Sequence, residues 1–431
     1  MDTVDLDNPY LLVSGSNYTS RTKDSIHFQR FSDNILSLPK AESMLNEVKA
    51  HTTTGIVLSF KTASPTLRIQ FTVMAGENRG HNFAVYQDSV YTDELSFSKT
   101  DGPDLVMDIA SQNTGSEVLY EISMPNWSIT ALSGLILEQG YDLSVLAKPD
   151  KPLYVAYGNS ITHGTGQSGT HKTYPFLLSG DLDYELFSLA VGGAKTSVSV
   201  AEMLRDDFDH IDIMTMLIGY NDYNGEGIDT TEYRSRYMQF LRTFREVHDT
   251  TLIYCLSLTY TTNIISAKSG IPADDFRAVV QHIVAELNAE GDENVFLIKG
   301  DSISSIVNLN GAVHFTEDGA LLFSKDLGNT IKNLQLDPEI ETAINYRISP
   351  DKNSVKLIPE VGFSSLFVET ESSIERISIF NIAGKLLLKE NCVDHRIDIS
   401  SISSGPYILE LEFKNKALGK SALLFYKGNM H

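Results

Sequence analysis

Residues 154–164 read Tyr154-Val155-Ala156-Tyr157-Gly158-Asn159-Ser160-Ile161-Thr162-His163-Gly164. An apolar run stops at a glycine, a polar pair follows, and two more glycines come at Gly164 and Gly166. A strand that ends in a glycine-rich turn delivers a small polar side chain to the carboxyl edge of a sheet, where open α/β sheets bind ligands. Ser160 is the side chain so delivered. A serine hydroxyl is a weak nucleophile until a base sits beside it. The remaining sequence is therefore read for that base and for donors to an oxyanion.

Working outward, strand-like runs alternate with helix-like ones. Leu153–Tyr157, Tyr184–Ala190, Ile211–Ile218, Thr251–Leu258 and Asn294–Ile298 read as five strands. Tyr233, Tyr237, Phe240, Leu241 and Phe244 share one helical face, as do Phe276, Val279, Val280, Ile283, Val284 and Leu287. A last helix runs from Glu317 to about Leu334. Near-continuous apolar strands between helices predict an α/β fold with a parallel five-stranded sheet covered on both faces. This segment is placed at 149–338.

The flanks have a different period. Leu67, Ile69, Phe71 and Val73 alternate with polar residues, and Val118, Tyr120, Ile122 and Met124 do the same. A period of two with frequent Gly, Pro and Asn punctuation predicts a β-sandwich or jelly roll over 1–148. Its Trp127, the single tryptophan, is read as a partly buried structural residue rather than a sugar platform. Alternation returns at 339–431, around Ile377 and Ile379, an Ala383-Gly384 turn, Leu386–Leu388, Ile397–Ile399, Tyr407–Phe413 and Ala422–Tyr426. A small third β-sandwich is expected there.

Composition narrows the function. With 431 residues, two or three domains are expected. A net charge of −22 argues against recognition of nucleic-acid phosphates, which needs a basic surface. No apolar run is long enough to span a bilayer. No secretory leader is recognisable at Met1-Asp2-Thr3-Val4, as in a chain whose leader has been removed. Cys255 and Cys392 fall in different segments, so no disulfide is expected between them. No His/Cys spacing suits zinc, and no metal or other cofactor is expected.

The other strand ends carry the chemistry. Ala190-Val191-Gly192-Gly193-Ala194-Lys195-Thr196 follows the second strand, and Ile218-Gly219-Tyr220-Asn221-Asp222 the third. Asn310-Gly311-Ala312-Val313-His314-Phe315 precedes the last helix. A hydroxyl, a glycine N–H, a carboxamide and an imidazole are the parts of an acyl-transfer site: nucleophile, oxyanion donors and base. Asp222 reads as a brace for the Asn221 loop. His163 and His171 read as solvent-exposed loop histidines near the nucleophile.

These four blocks, in this order, resemble the SGNH/GDSL hydrolase superfamily, with Ser160, Gly193, Asn221 and His314 at the block positions. The likeness covers about Leu153–Leu334. It implies a flavodoxin-like three-layer α/β/α fold and ester hydrolysis through an acyl-enzyme. It also implies an oxyanion hole from the N–H groups of Ser160 and Gly193 and the Asn221 side chain. The sequence departs from the family twice. Asn159 replaces the usual aspartate before the serine, where it can support the same turn. Gly311 stands where an aspartate usually orients the histidine. A backbone carbonyl near Asn310–Ala312, the Asn310 side chain, or an acid from elsewhere such as Asp301 is then left to hold His314. A Ser–His dyad follows in the first two cases.

A β-sandwich ahead of such a domain is similar to carbohydrate esterase family two, which implies removal of acetyl groups from poly- or oligosaccharides. Ile379-Phe380-Asn381-Ile382-Ala383-Gly384-Lys385, Ile397-Asp398-Ile399 and Ser404-Gly405-Pro406-Tyr407 resemble the C-terminal sorting domain of type IX secretion cargo. That likeness implies contact with a secretion machinery and a secreted or cell-surface location. Two other functions stay open: a lipid or general short-chain ester hydrolase, and a non-catalytic carbohydrate-binding surface protein with a decayed hydrolase domain.

Overall fold

The computed structural model describes residues 1–336 and, beyond them, 356–359, 365–369, 373–381, 386–391, 395–402, 405–414 and 420–427. The chain forms two compact units, Met1–Leu336 and Asp337–His431.

At the centre of the first unit is a parallel sheet of β1 (Leu153–Gly158), β2 (Glu185–Ala190), β3 (Ile213–Leu217), β4 (Leu252–Leu256) and β5 (Val295–Ile298). Its order is β2-β1-β3-β4-β5, so after β2 the chain crosses to the other side of β1 to add β3. Both faces are dry. Val155 and Tyr157 look toward α3 (Val198–Asp207), α4 (Thr230–Arg245) and α5 (Ala273–Ala289). Tyr154 and Ala156 look toward α2 (Tyr174–Leu182) and α6 (Glu317–Leu336). The expected apolar faces of α4 and α5 are the buried ones. Caps set where these helices start: Ser197 accepts from the Val200 N–H and Asp229 from the Glu232 N–H. The α/β/α layering expected from the sequence is thus present.

Residues 1–148 form two antiparallel sheets. One is ordered Ser20–Arg21, Ile26–His27, Ser128–Leu137, Thr66–Asn78, Asp104–Ala110; the other, Leu143–Ser144, Val57–Thr62, Val118–Ser123, Gly80–Gln87, Val90–Ser98. Alternate residues of both, such as Phe60, Tyr120, Ile69 and Phe71, close a core between them. The sandwich does not stand apart from the α/β layers. Phe31, Ile35, Leu45 and Ala50, all from the N-terminal segment, belong to the core on the α3–α5 side.

Arg30 marks this junction. Its guanidinium is wholly buried and donates to the carbonyls of Thr52, Ser188 and Ala190, the last two on β2. It also reaches the carbonyls of Lys49 and Ala50 and the Thr52 hydroxyl. Burial pushes its pKa down to about 9, so it is still charged at neutral pH.

In the second unit a three-stranded sheet (Lys356–Pro359, Ser365–Glu369, Arg396–Asp398) and a four-stranded sheet (Leu386–Asn391, Ile374–Asn381, Gly405–Phe413, Lys420–Lys427) are present. Val368, Ile377, Ile379, Ile397, Leu409 and Leu411 are among the residues of its core. The expected Ala383-Gly384 turn, Ser404 and Cys392 lie outside the described residues. Cys255 is buried in β4. Among the described residues no helix is long and apolar enough to cross a membrane.

Arg30→Met is expected to destabilise the first unit by about 3–5 kcal/mol, because it strands several buried carbonyls at ~1–3 kcal/mol each. Urea unfolding followed by tryptophan fluorescence measures this, since Trp127 lies in that unit; a loss below about 1 kcal/mol would show that the carbonyls find other donors.

Candidate active site

β1 ends at Gly158 because nothing larger fits: a Cβ there would lie 2.0 Å from the Thr162 hydroxyl and 2.9 Å from the Leu217 carbonyl. Asn159 then caps the short helix α1 (Ser160–His163), its side-chain oxygen accepting the Ile161 N–H at 3.0 Å. Ser160 takes the first helical position, where the backbone N–H has no intrahelical partner.

The partner of Ser160 arrives from 154 residues further along the chain. Leu309–Asn310 and His314–Phe315 pair as a small hairpin with Asn310 opposite His314. His314 Nε2 lies 2.9 Å from Ser160 Oγ. The hairpin is fastened on both sides. The Thr262 N–H and the Thr261 hydroxyl both donate to the Ala312 carbonyl at 3.0 Å. The buried Gln167 amide donates to the Phe315 carbonyl at 2.7 Å and so ties the serine loop to the histidine strand. Gln167 and Thr261 escaped the sequence reading, since long-range amide and hydroxyl ties have no local pattern.

The expected support for His314 Nδ1 is not found. Among the described residues Ser160 is the one hydrogen-bond partner of the imidazole. The Ala312 carbonyl is taken up by Thr261 and Thr262, and Asn310 is exposed. Asp301 faces Arg277, 3.5 Å away. Gly311 occupies the left-handed region (φ +82°) that the turn requires, which explains a glycine where a carboxylate is usual. Burial, and secondly the positive charge of Arg79, hold the His314 imidazole below the usual histidine pKa.

The oxyanion candidates follow from sheet register. Gly158 of β1 is level with Ala190 of β2 and Leu217 of β3. Ser160, Gly193 and Asn221 therefore leave three adjacent strands within a few residues of one another. Gly193 adopts φ +89° with open space beside its Cα. Asn221 opens a π-helical turn (Asn221–Glu226) and donates to the Ala194 carbonyl at 2.9 Å, which leaves its second amide hydrogen free. Asp222, fully buried, accepts the Thr196 N–H at 3.1 Å and joins the turn after β3 to the loop after β2. Burial raises its pKa to about 6.

Two histidines differ from expectation. His163 and His171 are both buried, not exposed. His171 lies under Tyr91 of the sandwich, their ring centroids 5.9 Å apart. His163 stacks on Trp127 at 3.9 Å. Trp127 is buried more completely than expected and presses on Gly192, where a Cβ would fall 2.2 Å from the indole. In both cases the sandwich covers a loop that looks solvent-exposed when the middle segment is read alone. Among the described residues no cluster of His, Cys, Asp and Glu could hold a metal ion.

Residues 156–321 match the family model described as GDSL-like Lipase/Acylhydrolase family. The chain carries a GDSL/SGNH acylhydrolase domain. Residues 362–423 match a secretion system C-terminal sorting domain, which indicates a secreted or cell-surface protein. No curated protein matches the sequence. Among solved structures, a salicylyl-acyltransferase from a tetracycline biosynthetic pathway is 20% identical with a TM-score of 0.67, over 78% of this chain and 98% of that one. A GDSL-like lipase of Bacteroides ovatus, described there as putative, is 19% identical (TM-score 0.61; 76% and 96% covered). A family two carbohydrate esterase of Cellvibrio japonicus is 17% identical (TM-score 0.55; 77% and 97% covered). At these identities the likeness is one of fold. It extends beyond the GDSL/SGNH domain to the sandwich, since the matched length exceeds that domain.

If His314 acts as the base, its neutral form is the active one. The acid limb of kcat/KM against pH then lies below the usual histidine value, about 6.5. Arg79→Gln removes a charge that opposes imidazolium, so the limb is expected to move to higher pH. A limb that stays in place in this variant would show that the Arg79 charge is screened at His314.

Proposed function

We propose that this protein is an exported serine esterase that removes acetyl or other short acyl groups from carbohydrate through an acyl-enzyme. The observation that carries the reading is the 2.9 Å contact between Ser160 Oγ and His314 Nε2 at the carboxyl edge of the sheet. The three segments keep distinct roles in this proposal: 1–148 supports the site, 149–338 performs the chemistry, and 339–431 engages the secretion machinery.

Ser160 Oγ attacks the ester carbonyl while Nε2 of neutral His314 takes its proton. The N–H groups of Ser160 and Gly193 and the Asn221 amide receive the charge that develops on the carbonyl oxygen. Collapse of the tetrahedral species returns the proton from Nε2 to the departing sugar oxygen and leaves acyl-Ser160. Water then attacks the acyl carbonyl while His314 Nε2 takes one of its protons, and collapse breaks the bond to Ser160 Oγ, which receives that proton as the carboxylic acid leaves. Asn159 and Asp222 act at one remove, on the serine turn and the oxyanion loop. Asn310 contributes as the cross-strand partner of His314.

One observation favours a broader ester hydrolase. The loops on either side of the His314 hairpin expose Ile264, Ile265, Ile306 and Val307. An acyl-chain series from acetate to octanoate separates the two readings, and the carbohydrate reading expects acetate to be the best.

A deacetylation screen on acetylated xylan, acetylated mannan, O-acetyl sialic acid and p-nitrophenyl acetate tests the proposal. Ser160→Ala is expected to lower turnover by about three or more orders of magnitude. Asn221→Ala is expected to lower kcat by roughly 10²–10³ with a smaller change in KM. Ser160→Ala with near wild-type turnover would rule out Ser160 as the nucleophile, and no turnover of any of these esters by the intact protein would leave the binding-protein reading.

A further inference from the structure

Gly192 and Gly193 form the most flexible dipeptide a chain can have, yet one of them carries a proposed oxyanion donor. Neither glycine is replaceable in place. Trp127 fills the space of a Gly192 side chain, and Gly193 has a left-handed φ. Such a loop loses much conformational entropy on ordering, and an oxyanion donor works only when it is fixed before the charge appears. Something outside the loop must hold it.

His163 is in the position to do so. Its ring is wholly buried at the end of α1, three residues after Ser160. Nδ1 lies 2.9 Å from the Gly192 nitrogen, whose N–H donates to it. An Nδ1 that accepts leaves the ring proton on Nε2, which lies 2.6 Å from the Asn126 carbonyl and 3.0 Å from the Thr52 hydroxyl. The tautomer is therefore set by the partners. Burial, together with the charges of Arg30, Arg79 and Lys49, keeps the ring neutral. One face of the Trp127 indole stacks on the His163 ring, 6° from parallel, and the Arg79 guanidinium lies 3.7 Å from the indole centre, which places it on the opposite face. Asn126 also holds α1 directly, its amide donating to the Gly164 carbonyl at 3.0 Å. Thr52, Arg79, Asn126 and Trp127 all belong to residues 1–148.

We propose that His163 is a positioning residue that fixes the Gly193 oxyanion donor by holding the adjoining Gly192 N–H, with Asn126 and Trp127 making the N-terminal sandwich an obligatory part of the hole. This rests on the esterase reading given above. It assigns the sandwich a role in the chemical step, separate from any binding of substrate.

The test is a three-member series on p-nitrophenyl acetate, with kcat, KM and Tm measured for each. In His163→Asn the side-chain oxygen falls near the Nδ1 position and keeps an acceptor for Gly192. In His163→Gln the amide reaches toward Nε2, keeps the link to Asn126 and leaves the Gly192 N–H unheld. His163→Leu removes both. The Gln and Leu variants are expected to lose roughly 10- to 100-fold in kcat with KM changed much less, as when a catalytic group is slightly misplaced. His163→Asn is expected to recover most of that loss. If the Leu variant does not fold, the Asn and Gln pair, each retaining one of the two hydrogen bonds, decides alone. Equal kcat in Asn and Gln, or a loss confined to KM, overturns the proposal. Ser160→Ala run alongside separates the two failures. Hydrolysis that depends on Ser160 with a flat His163 series sinks this inference only; hydrolysis that ignores Ser160 sinks the esterase reading and this inference with it.

Discussion

The structure of the first unit depends on a buried cation that no carboxylate among the described residues pairs. Arg30 sits between the N-terminal segment and β2, and its donors end on backbone and hydroxyl oxygens. An unpaired buried charge is ordinarily costly. Here the guanidinium supplies several donors to carbonyls that would otherwise be buried without partners, so each group removes the other's penalty. The arrangement also has consequences for the loop that follows. Ala190 O accepts from Arg30, and the loop that carries the proposed oxyanion donor starts at the next residue. Anchoring the end of β2 thus sets the origin from which Gly192 and Gly193 are placed.

The parts of the structure that were legible in the sequence are those with a local period. Tyr154 and Ala156 against Val155 and Tyr157 give the two faces of a central strand, and the residues of α4 and α5 give single apolar stripes. Such patterns record burial by nearest neighbours, and they are read without knowing the fold. Ser160, Gly193, Asn221 and His314 were legible as candidates for a related reason: each stands at a strand end or hairpin marked by glycine. The sequence did not reveal what covers these loops. His163 and His171 look like exposed polar residues because the residues that bury them, Trp127 and Tyr91, come from another sheet. Gln167 and Thr261 act on carbonyl groups far along the chain. Contacts of that kind leave no period and no spacing.

The same reasoning explains why Gly311 was misleading. Its position suggested that a neighbouring oxygen would replace the usual aspartate. The turn itself consumes the nearest candidate, since the Ala312 carbonyl anchors the hairpin through Thr261 and Thr262. A carbonyl that fixes where His314 stands is not also free to fix its tautomer. Position and protonation are here served by different groups, and the hairpin secures the first.

What remains is the acid–base character of His314 in the proposed reaction. An imidazole without a carboxylate, partly buried and within reach of the Arg79 charge, is a weaker base than an ordinary histidine. Removal of the Ser160 proton is then harder than in a full triad. The imidazolium formed in that step is, by the same measure, a stronger acid. The gain falls on the step in which the leaving oxygen is protonated. A phenolate departs readily without a proton, but a sugar alkoxide does not. A site of this kind therefore loses most on activated aryl esters and least on esters of poor leaving groups, the class to which acylated carbohydrates belong.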